Sequence, residues 1–563
     1  MKNKMIGLNE KQKSVVSCES NKILLIACAG AGKTLTTTRK VGSLLEKRYA
    51  PERIYCISFT RAAARELKER LIKVDKLGKD VKTSTFHSFV IEFFQKKYGE
   101  FSMIGDSEKE TILNTLSKRF NIKSPKKLID AYKKSLFNND RNIQYAIDAY
   151  IFELKLLKLM DIDILLPWFL RELEEDEEFL LEIRNSIDYL IYDESQDVND
   201  LQNSILEKII PAGSPIGFMM VGDDDQNIYQ WNNTSVEYIL RFPKRYNATT
   251  LLLNENYRCS NQIIAAANNL ISQNKNRFAK KMIGMFDAED INLESFETET
   301  EEILRIIGIS NSYITGDRKL AILCRSNKEI KDIYKIFKSL NIDVNTSIKE
   351  ELNREIIDRL KLIINPANDL LTEKIIGTNK DIKIYALDNK ISLFQAYVEH
   401  ENEIALKMQL LNTALNSSKT AYSMYLLICE KLNMIPDRKV MKAINLWSSR
   451  IRTEANNISN FVNYAESKEA QETLKEGNSN ISLTTVHASK GLEFDEVIIY
   501  NFNNINYSFK GNKEENRRLL YVAITRAKEK LNFFFSNEVN KNGLALRTEI
   551  SPFIQEIKSE NNI

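Results

Sequence analysis

The sequence predicts an α/β protein built from two parallel-sheet cores, each interrupted by a mostly helical insertion, and three observations carry that expectation. The apolar run Ile23–Ala31 breaks into small residues and continues as GKTLTTTRKVGSLLEKR with apolar positions at helical spacing, which reads as strand, glycine-rich loop, helix. Strands return at Tyr189–Tyr192 and Phe218–Val221 after a long stretch of helical periodicity. A second alternation begins near Asn256 and is interrupted in the same way.

Taken in order, the β-rich run Ile54–Phe59 follows the first helix and leads into helical TRAAARELKERL, so strand–helix pairs succeed one another and the sheet is parallel. The helical block that follows carries a basic stretch, with Lys118, Arg119, Lys123, Lys126, Lys127, Lys133 and Lys134, and an acidic one, Glu172–Glu182. Phosphate neutralisation and a solvated helix face explain the basic stretch equally well. The acidic run Glu172–Glu178 reads as a solvated face. In the second half a strand at Leu320–Cys324 precedes a helical run over 376–477, and Ile481–Val486, Val497–Tyr500 and Lys530–Phe535 complete the second sheet. The expected boundaries are 1–98 and 181–255 for the first core around insertion 99–180, and 256–375 and 478–563 for the second core around a shortened insertion 376–477.

Composition narrows the function classes. At 563 residues the chain holds about three or four folded units. Only 18 glycines and 9 prolines disfavour long loops. No apolar run approaches the ~18 residues of a membrane span, and the charged start MKNKMIGLNEKQK lacks the apolar centre of a signal peptide, so a cytoplasmic location is expected. Six cysteines without a C-x-x-C pair, beside only three histidines, argue against zinc and iron–sulfur sites. A net charge of +3 gives no global basic field, so any nucleic-acid site is a local groove.

The segment Ala27–Thr34 fits a phosphate loop except that its first glycine is Ala27. Across Ala29, Gly30, Ala31 and Gly32 the backbone N–H groups would converge on phosphate oxygens at a helix N-terminus. Lys33 would reach the β- and γ-phosphates, and Thr34 would offer a hydroxyl to Mg²⁺. A metal and a water-activating group belong at the tip of a second strand, and DYLIYDESQD supplies them: Asp193 for Mg²⁺ and Glu194 for the attacking water. An acidic pair at a strand end also serves as a helix N-cap; the phosphate loop upstream favours the catalytic reading.

Read in order, the segments GLNEKQ, ACAGAGKT, SFTRAAARELKERL, TSTFHSF, DESQD, VGDDDQNIYQW, LNENYRCSNQIIAAAN, AILCRSN, TTVHASKGLEF and RRLLYVAITRAKEKL resemble the motif series of the UvrD/Rep/PcrA family of superfamily 1A DNA helicases, over about residues 7 to 535. The resemblance implies two RecA-like cores, ATP and Mg²⁺ as cofactors, and single-stranded or tailed duplex DNA as partner, with repair among the pathways. It implies that Gln12 reads the adenine edge, Tyr257 stacks on the adenine, Arg258 contacts the γ-phosphate, Gln226 senses it, Glu493 meets the ribose, and Arg526 is the arginine finger. By the same resemblance single-stranded DNA is gripped by Phe59, Thr60, Arg61, Thr85, Phe86, His87, Tyr229, Trp231, Arg325, Asn327 and His487. Trp231 is the foremost stacking candidate, although its polar run alone leaves core and exposed positions equally open.

The chain departs from the family pattern at three places. The second insertion is short, NFNNINYSFKG lacks the usual proline–histidine pair, and WNN stands where an arginine–glycine is common. These departures bear on duplex contacts and regulation and leave the ATP site intact. They also keep a second expectation open: a DNA-sensing ATPase subunit that partners a nuclease in an antiviral defence complex such as Gabija, with weak or no unwinding of its own.

Overall fold

The glycine-rich loop follows the strand next to one edge of a six-stranded parallel sheet. Its strands are β1 (Lys22–Ala27), β2 (Ile54–Ser58), β3 (Lys82–Thr85), β4 (Tyr189–Tyr192), β5 (Gly217–Gly222) and β6 (Thr249–Leu253), in the order β3-β2-β4-β5-β1-β6. The interior strands β1 and β5, KILLIA and GFMMVG, are buried along their whole length, as strands covered on both faces must be. A computed structural model describes residues 5–122, 124, 128–130, 141–229, 234–289, 291–346, 352–415, 420–449, 456–466, 479–541 and 544–558 of the chain. It divides into two compact units, Met1–Leu304 with Ser489–Ile563, and Arg305–Ala488.

In the first unit the helical insertion does not stand apart from the sheet. Phe94, on the helix Phe86–Tyr98, packs its ring 4.8 Å from Trp168 and 5.3 Å from Phe169 on the helix Leu165–Glu175, so insertion and sheet share one apolar core. The acidic run is solvated at Glu174, Glu175, Glu177 and Glu178, and Glu172 departs from the expected exposed face. Glu172 is mostly buried, accepting from Lys97 Nζ at 2.6 Å, Lys155 Nζ at 3.1 Å and Trp168 Nε1 at 2.9 Å. Burial pushes its carboxyl up, but those donors and Tyr98 outweigh it and hold the group at about 2. Asp176 caps the helix Glu177–Asn185 and accepts from Lys97. Of the basic stretch, Lys118 and Arg119 lie in the last turn of the helix Asp106–Arg119, while Lys123, Lys126, Lys127, Lys133 and Lys134 fall outside the described residues.

The strands expected for the second core are divided between the units. In the first, Asn292–Thr298 and Phe494–Ile499 flank Ala527–Lys541 in parallel, and Leu544–Arg547 folds back antiparallel on the latter. The last long strand thus exceeds the expected Lys530–Phe535. In the second unit Leu320–Cys324 and Asn345–Thr346 flank Ile481–Thr485 in parallel. Between them helices from Arg354 to Glu466 enclose an apolar core that includes Phe394, Tyr425, Trp447 and Phe461. No described helix is long and apolar enough to cross a membrane.

Candidate active site

Everything in the phosphate loop that a side chain would obstruct is glycine. Gly30 and Gly32 take φ of +67° and +76°, in the left-handed region, and Gly32 precedes the helix Lys33–Glu46. A Cβ at Gly30 would lie 2.8 Å from Asn256 Oδ1, and one at Gly32 would lie 2.6 Å from Gln12 Nε2. The loop is braced from two sides. Cys28 N donates to Leu253 O of β6 at 2.9 Å, Asn256 Nδ2 donates to Ala29 O at 2.8 Å, and Tyr257 N donates to Gly30 O at 3.1 Å. Gln12 Nε2 donates to Ala31 O at 3.2 Å, from a helix whose first turn is closed by a capping box with Asn9. Asn9 Nδ2 also donates to the Tyr257 hydroxyl at 2.7 Å, which donates to Glu255 Oε2 at 2.7 Å, and the Tyr257 ring is 47% exposed. Gln12 and Tyr257 therefore flank the loop at one end.

Lys33 bridges the two carboxylates at the tip of β4: its Nζ pairs with Glu194 Oε1 and lies 3.4 Å from Asp193 Oδ1. Burial lowers the Lys33 ammonium, but Asp193 and Glu194 outweigh it and hold it above its ordinary range. The Glu194 carboxyl is pushed up by burial and down further by Lys33 and Lys490, settling at about 2, so it is ionised at neutral pH. Glu194 holds a left-handed backbone, φ +54°, and Gln196 Nε2 donates to its Oε2 at 2.6 Å. A non-glycine in that region stores strain, which the surrounding contacts must hold.

Arg526, 1% exposed, lies close enough to Glu194 for the carboxylate charge to act on it. Its Nε and Nη1 donate to Val522 O and Leu492 O at 3.0 Å, and its Nη2 to Thr525 Oγ1 at 3.2 Å and Gln226 Oε1 at 3.5 Å. Among the described residues all these acceptors are neutral. Burial, with Arg258 nearby, lowers the guanidinium to about 10, which leaves it charged at neutral pH. Arg258 Nε donates to Glu493 Oε2 at 2.8 Å, and Lys528 lies 3.0 Å from the other oxygen of Glu493. Gln226 is itself aimed: its Nε2 donates to Asp223 Oδ2 at 2.8 Å.

The residues expected to hold Mg²⁺ fit a hard cation in kind. Thr34 follows Lys33 at the helix start and Asp193 Oδ1 lies 3.4 Å from the Lys33 ammonium, so the two residues that would supply oxygen donors both adjoin Lys33, the small protein contribution that Mg²⁺ takes beside phosphates and water. No group of three or more His, Cys, Asp or Glu that could hold a metal occurs among the described residues.

The DNA candidates separate by position. Phe59 is 43% exposed at the end of β2, and its ring stacks on Tyr229 at 5.3 Å. Thr60 and Thr85 cap the helices Arg61–Val74 and Phe86–Tyr98. Arg61 is exposed and His87 partly so. Phe86 corrects the expectation: it is 3% exposed and packs against Phe89 and Tyr192, so its ring is a core side chain with no face to offer a base. Trp231 lies outside the described residues. Arg325, Asn327 and His487 belong to the second unit, after Leu320–Cys324 and Ile481–Thr485.

Two contributors carried no expected role. Asn256 holds the loop as described, and Lys490, inside VHASKG, pairs with Asp197, donates to Gln226 O at 2.8 Å and lies 5.0 Å from the Tyr229 ring centre. Burial raises the Asp197 carboxyl to about 6 against the opposing pull of Lys490. Their signal in sequence was membership of the quoted motifs alone.

The UvrD/REP helicase N-terminal domain family matches residues 8–247, and the UvrD-like helicase C-terminal domain family matches 251–384 and 381–538. Similar proteins include the ATP-dependent DNA helicase PcrA of Bacillus subtilis, 30% identical over 98% of this chain and 86% of its own length. PcrA of Staphylococcus aureus is 26% identical over 93% of this chain and 82% of its own. The ATP-dependent DNA helicase Rep of Buchnera aphidicola is 27% identical over 99% of this chain and 97% of its own.

Proposed function

The chain belongs to the UvrD/REP helicase family and is a superfamily 1A ATP-dependent DNA helicase, and on that premise we propose which residues hydrolyse ATP and how turnover reaches the DNA. The single observation that carries the residue roles is the pairing of Lys33 with Asp193 and Glu194 beside a buried Arg526 that feels the Glu194 charge and whose acceptors among the described residues are neutral.

The loop from Ala29 to Gly32 presents backbone N–H groups to the phosphates, and Lys33 exchanges its carboxylate partners for the β- and γ-phosphate oxygens. Thr34 and Asp193 hold Mg²⁺, which neutralises phosphate charge when bound. Glu194, released as Lys33 turns to the phosphates, is the carboxylate that orients the attacking water and takes its proton. Arg526 and Arg258 face the charge that spreads over the transferring phosphoryl group, and a planar guanidinium suits that geometry. Gln12 and Tyr257 receive the adenine, and Glu493 the ribose.

Coupling to DNA follows from a short chain of contacts. Lys490 binds Asp197 and the Gln226 carbonyl on one side and faces the Tyr229 ring on the other, and Tyr229 stacks on the exposed Phe59. A shift of Gln226 on hydrolysis is thereby passed to an aromatic pair suited to stacking on bases. Each turnover moves the chain along single-stranded DNA in the 3′-to-5′ direction and separates the duplex it meets. The test is ATP turnover with and without single-stranded DNA for the wild type and Lys33→Ala. The wild type is expected to be stimulated by DNA and the variant to be inactive in both; wild-type turnover by the variant would refute the site assignment.

A further inference from the structure

Three consecutive carboxylates, Asp223, Asp224 and Asp225, follow β5 and are all at most 1% exposed. Ionised carboxylates are not buried without compensation. Two cations answer them, both from the segment after the helix Asn261–Ile271. Lys280, whose side chain is 2% exposed, places Nζ 3.2 Å from Asp223 Oδ1, 2.5 Å from Asp224 Oδ1 and 2.6 Å from Asp225 Oδ2. Arg277 grips Asp225 with both Nε and Nη2, at 2.8 and 2.7 Å, and Phe278 N donates to Asp224 Oδ2 at 2.8 Å.

What this cluster holds matters more than the cluster itself. Asp223 touches Gln226 twice, accepting from its backbone N at 2.8 Å and from its side-chain Nε2 at 2.8 Å. With Nε2 committed to Asp223, the other end of the amide, Oε1, is turned toward Arg526 Nη2. On its other side the Lys280 segment runs into Ile283–Gly284, which pairs in parallel with Glu255–Asn256, and Asn256 is the side chain that braces the phosphate loop at Ala29. One buried ammonium therefore sits between the support of the phosphate loop and the support of the γ-phosphate sensor.

We propose that Lys280 is a positioning residue for ATP hydrolysis: by binding Asp223 together with its two neighbours it fixes the turn that aims Gln226 at Arg526. The inference rests on the roles given above to Gln226 and Arg526. A lysine needed for charge balance alone makes a different prediction, because the balance can be restored without it.

The experiment uses the full chain and compares Lys280→Met/Asp224→Asn with the wild type. The double change removes one cation and one carboxylate, so the cluster keeps its net charge while Asp223 loses its tie to the segment. Steady-state ATP turnover with single-stranded DNA gives kcat and KM, and fluorescent ADP gives a nucleotide Kd. Expected is a kcat lowered roughly 100-fold, the order of loss for a misplaced catalytic group, with Kd within about threefold of wild type. Lys280→Arg, which keeps the charge with a different reach, is expected to recover part of kcat. Gln226→Ala is then made in both backgrounds. It should lower kcat in the wild type and cost little more in the double variant, since residues acting as one unit are not additive. Wild-type kcat in the double variant would overturn the positioning role while leaving Gln226 intact as the sensor. Full loss on adding Gln226→Ala to the double variant would overturn it equally. Unchanged kcat on Gln226→Ala in the wild type would instead overturn the reading of Gln226 on which the inference stands.

Discussion

Replacing Gly32 with alanine tests the phosphate loop where the structure makes its cost calculable. At φ +76° an alanine carries a backbone penalty of about 1–2 kcal/mol. The new Cβ would lie 2.6 Å from Gln12 Nε2, too close for both to stay. Gln12 is the mobile partner and must swing away, breaking its bond to Ala31 O, a loss of about 1 kcal/mol. Because the unliganded loop is free to relax from the strained turn and binding has to restore it, the sum, about 2–3 kcal/mol, is expected to weaken nucleotide binding about 30- to 150-fold. Titration of fluorescent ADP measures it. Two companions separate the contributions. Gly213→Ala, at φ +83° with nothing within 4 Å of its Cβ and remote from the loop, carries the backbone strain and should leave nucleotide affinity unchanged. Made in a Gln12→Ala background, Gly32→Ala should cost only the strain portion, about 1–2 kcal/mol. A Gly32→Ala protein that binds ADP within about threefold of wild type would refute this account of the loop.

Three further outcomes follow from the same geometry. Arg526→Ala should lower DNA-stimulated kcat by about 10³-fold or more while nucleotide affinity changes little, read by turnover and ADP titration in parallel; equal losses in both would show that the arginine only supports the fold. Glu172→Gln should lower stability by about 3 kcal/mol at neutral pH, since its carboxyl is held at about 2 rather than 4.5. A depressed carboxyl contributes fully above its unfolded value and loses that contribution as pH falls toward its folded value, so the gap in melting temperature between wild type and variant should narrow from pH 5 to pH 3; a constant gap would contradict the buried pairing with Lys97. Phe59→Ala should weaken single-stranded DNA binding about tenfold, the loss of roughly one stacked base, without altering turnover in the absence of DNA, and fluorescence anisotropy with a labelled oligonucleotide checks it.

Much of this site is legible in the sequence because its parts are local. The phosphate loop joins a continuous apolar strand to an amphipathic helix, and Asp193 and Glu194 close a second apolar strand, so period and motif alone place them together. The strands that escaped are polar or at the sheet margin. Lys82–Thr85 reads KTST, and Asn292–Thr298 alternates weakly with little of it buried, so neither stands out from its surroundings. Glu172 misled because a run of acids looks solvated on a helix; its partners Lys97 and Lys155 lie 75 and 17 residues away and only tertiary packing joins them. Phe86 misled in the opposite sense, since a motif position does not say which way a ring points. Lys280 is the extreme case: nothing near residue 280 announces three carboxylates some 55 residues earlier, and only the fold brings them to one atom.

The central claim about this molecule is that its ATP site drives strand separation. The direct measurement is ATP-dependent displacement by the purified chain on matched duplexes with a 3′ tail, a 5′ tail or no tail, with Lys33→Ala alongside. Displacement on the 3′-tailed duplex alone, absent in the variant, is the predicted result. Displacement on none of the three, from protein that binds ATP, or turnover indifferent to DNA, would contradict it.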